Sequence, residues 1–395
     1  MTGGGDPVRV GMFSDSYLPR ISGVVRSVVS FVTELRRQGH YAAIFAPGYQ
    51  GYRDTDPDVV RFPSVRAPTV PDFPLAIPFA RRFLHDLRRR RLTVIHTHSP
   101  FLMGTAGRYA ARRLRLPLVF THHTMYSEYV HYMPLVSERL SRQVVERYTA
   151  RYCNRCTLVI APSQTVKTWL TSLGVRTRIE VLPTAGLEFE RLDRLDPSWV
   201  RPRYGIPPDA PLIITVGRLA REKRFDVLLD AFARAARGGP ARLLVVGGGP
   251  QESGLRAAAA RLGIGGQVAF TGPLEHDRVL DCYAAADLFA FASPTETQGL
   301  VVVEAMAAGL PVVAVAAGGV AEVVANDRTG LLADPDPRAL AAAIRRMLDD
   351  PQLRRRCAQA GRVAARGYAI GEIVARLVDL YRQVAVERPV VAAPE

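Results

Sequence analysis

Short runs of apolar residues alternate along the chain with longer stretches in which apolar positions recur every three or four residues. The first kind reads as buried strand and the second as amphipathic helix. In the first half the strand-like runs are Val8–Phe13, Tyr41–Phe45, Val94–His96, Leu118–Thr121 and Leu158–Ala161, with helical patterns near Val24–Arg37 and Leu102–Leu114. After Pro183 the pattern loosens into Pro-, Asp- and Arg-rich sequence up to Pro211, which predicts a connection between domains. A second series follows: Leu212–Val216, a helix near Phe225–Arg237, Arg242–Val246, Val268–Thr271, Leu288–Ala292 and Val312–Val315, and then helical segments. Strands alternating with helices predict parallel sheets with helices on their faces, an α/β protein. At 395 residues the chain is long for one core, so two domains are expected. The sequence has no internal repeat.

Charge divides along the same line. Residues 1–180 carry 26 Lys+Arg against 12 Asp+Glu, whereas residues 181–395 carry 26 against 25, so almost all of the net +15 belongs to the first half. The arginines concentrate at Arg81-Arg82, Arg88–Arg91, Arg108, Arg112-Arg113 and Arg115, and along a helical stretch at Arg139, Arg142, Arg147, Arg151 and Arg155. Phe79, Phe83, Leu84, Leu87, Leu140, Val144 and Tyr148 lie among them. A basic face mixed with apolar residues suits an anionic membrane surface. A nucleic-acid patch and a merely solvated face are the alternatives, and no nucleic-acid-binding motif accompanies the charge. Residues 1–7 lack the apolar region of a secretory signal, and Leu300–Ala317 holds Glu304, Gly309 and Pro311, so it reads as core and not as a bilayer span. Four cysteines, Cys153, Cys156, Cys282 and Cys357, suggest a reduced compartment. Cys153 and Cys156 have C-x-x-C spacing without a second pair, which reads as buried or inert thiols before metal or redox use.

The segment from Ser293 to Val324 carries the most chemistry. Glu296 and Glu304 form an E-x7-E pair around Thr297-Gln298-Gly299-Leu300. If Gly299 opens a helix, two carboxylates flank a helix N-terminus whose free N–H groups favour a phosphate. Eight residues of helix span about 12 Å, the reach from a hexose to a ribose across a diphosphate. Gly309 reads as the C′ glycine of that helix. Only Lys167 and Lys223 among the 52 basic residues are lysines. Lys223 follows the strand Leu212–Val216 with Arg218 five residues before it, and the two cations suit a diphosphate leaving group. A glycine turn, Gly247-Gly248-Gly249, follows the next strand and allows close backbone approach to a ligand. His96, His98, His122 and His123 cluster at two predicted strand ends, where open α/β sheets place ligands. Metal ligation is the alternative for them, though no carboxylate or thiol pattern accompanies the histidines. Asp54-Thr55-Asp56 is a D-x-D string in a polar loop and reads as solvated turn.

These segments resemble those of family-4 retaining glycosyltransferases. The match runs through Gly217-Arg218-Leu219 with Glu222-Lys223, Gly247-Gly248-Gly249-Pro250, Phe270-Thr271-Gly272, Ala286-Asp287, and Glu296 to Pro311. Within that family the chain looks most like bacterial 1,2-diacylglycerol 3-alpha-glucosyltransferases, through Thr121-His122-His123-Thr124-Met125-Tyr126 with Glu128-Tyr129 and His131-Tyr132, through Glu296-Thr297-Gln298-Gly299-Leu300, and through Ser14–Pro19 with Ser22–Val25. Gln298 stands where many relatives have an aromatic residue, and His122 where the lipid branch often has tyrosine.

The resemblance implies a GT-B fold: two doubly wound Rossmann-like domains facing a central cleft, with a C-terminal helix crossing back to the first. The expected boundaries are 1–185 for an acceptor and membrane-side domain, 186–368 for a nucleotide-sugar domain, and 369–395 for the returning helix and tail. It implies that Arg218 and Lys223 clamp the diphosphate, that Glu304 binds the ribose, and that Glu296 faces the donor sugar with His123 beside it. Gly23, Gly248, Gln298, Gly299 and Leu300 are expected around the donor, and Asp15, Tyr126 and His131 on the acceptor side. The expected reaction moves a hexose, glucose favoured, from a UDP-sugar to diacylglycerol with retention. Neither a metal nor another cofactor is expected, and the expected place is cytoplasmic, peripheral on the inner face of the cell membrane. A soluble or glycan acceptor is the nearest alternative, followed by a sugar-nucleotide epimerase and a nucleic-acid-binding protein.

Overall fold

A computed structural model describes residues 6–20, 22–66, 74–77, 83–128, 137–184 and 186–387. The backbone separates into two compact units, Met1–Gly186 with Ile370–Glu395, and Leu187–Ala369. Unit 1 runs β1 (Arg9–Phe13), α1 (Gly23–Arg37), β2 (Tyr41–Pro47), β3 (Val59–Phe62), an antiparallel pair β4 (Ser64–Arg66) and β5 (Pro74–Ala76), and α2 (Phe83–Arg89). It continues with β6 (Val94–Thr97), α3 (Leu102–Leu114), β7 (Leu118–Thr121), α4 (Glu138–Cys153), β8 (Leu158–Ala161), α5 (Gln164–Ser172) and β9 (Ile179–Val181). Among the described residues a parallel sheet is ordered β3-β2-β1-β6-β7-β8-β9. β6, β7 and β8 are buried at every position. This is why they appear in the sequence as continuous apolar runs rather than alternating ones.

Unit 2 repeats the plan. It begins with two short helices, α6 (Phe189–Leu192) and α7 (Val200–Arg203), then β10 (Leu212–Val216), α8 (Phe225–Ala236), β11 (Arg242–Val246), α9 (Glu252–Arg261) and β12 (Val268–Phe270). α10 (His276–Ala284), β13 (Leu288–Phe291), α11 (Leu300–Ala307), β14 (Val312–Val315), α12 (Val320–Val323), β15 (Gly330–Ala333), α13 (Pro337–Asp349) and α14 (Pro351–Ala365) complete it. The sheet order is β12-β11-β10-β13-β14-β15. The chain therefore leaves β10 toward one edge and β13 toward the other, and a crevice opens where the two directions part.

The boundary between the units, Gly186/Leu187, falls in the stretch between Pro183 and Pro211, but from Leu187 on that stretch is packed into unit 2. Leu187, Val200 and Ile206 are buried in the core of unit 2, the Trp199 indole N–H donates to Asp281 at 2.9 Å, and the Asp196 backbone N–H donates to the same carboxylate at 2.8 Å. Its polar composition hides a few well-spaced apolar anchors that pin it to the domain.

The last helix, α15 (Ile370–Glu387), belongs to unit 1. Ile373, Val374, Leu377, Val378, Tyr381 and Val384 form one buried stripe at helical spacing, packed in the same core as Val25, Val28, Phe31, Val32 and Leu35 of α1. Where α15 starts, the backbones are close: a Cβ on Gly186 would lie 2.6 Å from the Ile370 Cα. Leu377 is fully buried, so Leu377→Ala is expected to cost about 2–5 kcal/mol. Thermal unfolding checks this, and an unchanged melting temperature would mean that α15 does not complete the unit 1 core.

Candidate functional site

The chemistry of unit 2 collects at the ends of β10 and β13. Gly217 and Arg218 follow β10, and a single 3-10 turn, Arg221–Lys223, brings Lys223 back over the strand end before α8 begins. Ser293 to Gly299 follows β13, and the Lys223 Nζ donates to Glu296 Oε1. The pair is mostly covered, with both side chains under one-fifth exposed. Two glycine pairs hold these loops. Gly247 and Gly249 press against the Arg218 loop, where added Cβ atoms would come within 2.1 Å of the Gly217 oxygen and 2.5 Å of the Leu219 oxygen. Leu219 N–H donates to Gly248 O at 3.0 Å. The close approach read from this turn is thus of loop to loop at Gly247 and Gly249, while Gly248 packs on Pro273. Gly318 and Gly319 do the same for the Glu296 loop: Gly319 N–H donates to Glu296 O at 2.7 Å, and a Cβ on Gly318 would meet that oxygen at 2.4 Å.

Gly299 does open α11, as a left-handed cap with φ of 78°. The helix starts only at Leu300, so the expectation of eight helical residues between the two glutamates is wrong and the 12 Å span does not apply. A left-handed residue ends the loop abruptly, leaving Glu296 on irregular backbone and Glu304 in the second turn of helix. Glu304 is 1% exposed. Its Oε2 accepts from Tyr283 Oη at 3.2 Å, and its Oε1 lies 3.9 Å from His276 Nε2. Gln298 is buried, and Leu300 half-buried. Gly309, at φ of 84°, is the expected C′ glycine.

In unit 1 the corresponding strand ends are those of β1, β6 and β7. Ser22 caps α1, accepting from Val25 N–H at 3.3 Å, and a Cβ on Gly23 would meet nothing within 4 Å, so the α1 N-terminus has free space beside it. Asp15 is buried with both oxygens engaged: Ser99 Oγ donates to Oδ2, and Met103 N–H donates to Oδ1 at 2.8 Å. Phe101, at the cap position of α3, has no side-chain oxygen, and Asp15 supplies the missing acceptor from across the sheet end. Burial pushes the Asp15 carboxyl up, with the Ser99 and Met103 hydrogen bonds opposing. His98 Nδ1 and His123 Nε2 are 2.9 Å apart, while His122 packs among Phe120, Tyr126 and Trp169. Tyr126 also meets Phe101 edge-on at 4.9 Å. His131 lies outside the described residues.

Asp54 and Asp56 are not a solvated turn. Arg61 donates to both Asp54 oxygens at 2.7 Å and Arg36 to Asp56 at 2.6 Å, so the D-x-D string is a pinned loop. Among the described residues no group of three or more His, Cys, Asp or Glu side chains is arranged to hold a metal ion. The thiols of Cys153 and Cys282 are pushed up to about 12, chiefly by burial, which makes both inert.

Comparison with known proteins gives this geometry its family. Residues 21–185 match the model described as Glycosyltransferase Family 4, and residues 200–364 match that of Glycosyl transferases group 1. Alpha-monoglucosyldiacylglycerol synthase of Streptococcus pneumoniae is 34% identical over 78% of this chain and 71% of its own length. The chain is a family-4 glycosyltransferase of the GT-B fold. A GDP-mannose-dependent alpha-mannosyltransferase of Mycobacterium tuberculosis is 33% identical over 82% of this chain and 83% of its own length. Among solved structures, HepE of Anabaena in complex with UDP matches 95% of this chain and 100% of its own with a TM-score of 0.77 at 22% identity, which supports the fold.

The two glutamates are held by residues that the sequence pattern does not single out. Tyr283 and Gly318-Gly319 fix the two glutamates: a tyrosine in an ordinary helical stretch carries no signal, and a Gly-Gly pair after a strand is the one local pattern that could have pointed to the Glu296 loop. The buried histidines have a measurable consequence. Burial pushes His96 and His122 down to about 3 and holds His98 and His123 well below the usual imidazole range. Below about pH 6.5 the unfolded chain takes up protons on these rings and the folded chain does not. Stability is therefore lost as the pH falls from about 6.5 toward 3, on the order of 1 kcal/mol per imidazole per pH unit. Denaturant melts at pH 7 and pH 5 check this. Equal stability at the two values would mean that the rings ionise within the fold.

Proposed function

We propose that this glycosyltransferase moves a hexose, glucose favoured, from a UDP-sugar to diacylglycerol at a membrane surface with retention of anomeric configuration. The observation that carries the donor half is the contact of Lys223 with Glu296 at the β10/β13 switch point, because a cation and a carboxylate side by side suit a diphosphate joined to a sugar. Arg218 and Lys223 neutralise the diphosphate, assisted by the N–H groups at the start of α11. Glu296 holds sugar hydroxyls, with Gln298 and Gly299 in the same loop, and Glu304 holds the ribose, aligned by Tyr283. Gly23 leaves backbone accessible, Gly248 lies in the turn that braces the Arg218 loop, and His123 takes the place beside the transferred sugar. In the reaction the bond from C1 to the phosphate oxygen breaks and one from C1 to the lipid hydroxyl forms on the same face. The hydroxyl proton goes to the leaving phosphate. Fixed cations bear the developing charge, and no metal is assigned a role.

The acceptor side rests on unit 1. Leu140 and Val144 of α4 are 52% and 58% exposed, and with Tyr148 they form a stripe at four-residue spacing, flanked by exposed Arg139, Arg142 and Arg147. Tyr148 stacks on Phe101, also exposed, so the apolar stripe ends in aromatics. Arginines around exposed aliphatic side chains suit an anionic lipid surface at the inner face of the cell membrane, where a peripheral enzyme meets diacylglycerol. Among the described residues no helix is long and apolar enough to cross a membrane. Asp15, Tyr126 and His131 are assigned to the acceptor side, Asp15 through its hold on α3.

Two experiments test the proposal. Protein incubated with UDP-glucose, UDP-galactose or GDP-mannose and diacylglycerol in anionic or neutral liposomes, with a chelator present, is expected to yield a glucosyl lipid on the anionic liposomes. The mannose arm is included because of the mannosyltransferase relative. Sugar transfer only to a water-soluble acceptor, or only when metal is restored, would overturn the corresponding part. Lys223→Ala is expected to lower turnover about 100- to 1000-fold with the fold intact. Near-normal rates would remove Lys223 from the clamp.

A further inference from the structure

We propose that His98 is a positioning residue that holds the His123 imidazole in one tautomer, with its proton on Nδ1. The inference rests on the place given to His123 above. His96 and His98 stand two residues apart at the end of β6, their ring centroids 4.2 Å apart. His96 is pinned at both nitrogens, Nδ1 by Tyr381 Oη of α15 at 2.6 Å and Nε2 by Thr121 Oγ1 of β7 at 2.7 Å. A hydroxyl serves as donor or acceptor, so His96 is satisfied in either tautomer and acts as a fixed wall for His98. The His98 backbone N–H is tied to Phe13 O at 2.8 Å, and its ring is fully buried. Its Nδ1 meets His123 Nε2 at 2.9 Å, and its Nε2 is buried with no hydrogen-bond partner.

Burial keeps both rings neutral, and a neutral imidazole has one N–H and one lone pair. The contact therefore has two forms. In one, His98 Nδ1–H donates to the His123 lone pair, and the unpartnered His98 atom is a bare acceptor. In the other, His123 Nε2–H donates, and His98 carries a buried N–H with no acceptor. An orphaned buried N–H is the rarer defect in folded proteins. The first form is therefore favoured, and it leaves His123 with an N–H at Nδ1 and no free lone pair at Nε2. His123 is also the one of the four histidines with any exposure, 9% against 0% for His96, His98 and His122. The ring so held presents an N–H at Nδ1 in place of a lone pair and is denied the role of base through Nε2.

The test uses the full chain with 15N-labelled histidine. Two-bond proton–nitrogen correlation spectra at pH 7 are expected to show His123 and His98 both protonated at Nδ1; an Nε2–H on His123 would overturn the proposal without any variant being made. His98→Leu removes the donor, and His98→Asn places an amide N–H near the Nδ1 position. The leucine variant is expected to lose about 100-fold in kcat with KM for UDP-glucose nearly unchanged, and the asparagine variant to recover most of the loss. A leucine variant with normal kcat, or an asparagine variant as poor as leucine, would also overturn it. His123→Ala separates the two readings. If that variant turns over normally, the place given to His123 fails, whereas the spectra still report on what His98 does to the ring.

Discussion

The pairing of β10 with β13 is the constraint on which the proposed donor side depends. These neighbours in the sheet are not neighbours in sequence, and the chain leaves them in opposite directions. Two loops with no local relation, Gly217–Lys223 and Ser293–Gly299, are thereby set side by side. A cation and a carboxylate about 70 positions apart in sequence meet as a consequence. Gly247, Gly249, Gly318 and Gly319 make this possible, since each backbone lies too close to its neighbour for a Cβ to fit. The loops are thus held rigidly by backbone contacts, which is how a charge-stabilising site avoids reorganising its dipoles during reaction.

The strand ends of unit 1 are organised by burial of polar groups instead. Three fully buried histidines and a buried aspartate gather at the ends of β1, β6 and β7. Asp15 is consumed in capping α3, and His96 is consumed by Tyr381 and Thr121. His123 is the one of the four histidines there with any exposure, and beside the neighbouring ring of His122 packs Tyr126, which Phe101 meets in turn.

The parallel architecture was legible because strands buried on both faces must be apolar throughout, as at Leu212–Val216 and Leu158–Ala161. Of the four edge strands of the two parallel sheets, β12 reads as Val268–Thr271 and the other three escaped notice: Arg61 interrupts β3, Glu180 interrupts β9, and β15 begins with a glycine. The boundary between the units does fall within 183 to 211, but the packing of that stretch onto unit 2 was hidden because sparse anchors such as Leu187 and Val200 have no periodicity. Lys223 and the E-x7-E pair stood out through the rarity of lysine and the turn glycines. The helical span between the glutamates did not follow, since a glycine at positive φ starts the helix late. The partners of Glu304 and of Asp15 depend on tertiary contacts that no local pattern encodes.

The placement of α15 has a consequence for biosynthesis. Unit 2 is one continuous stretch, whereas the core of unit 1 draws on both ends of the chain. On the ribosome the strands of unit 1 emerge first and then wait while the whole of unit 2 is made, on the order of 10 to 40 s at typical synthesis rates. The apolar face of α1 stays uncovered for that interval. The domain that starts translation first therefore finishes folding last, and its stability is decided by the final helix.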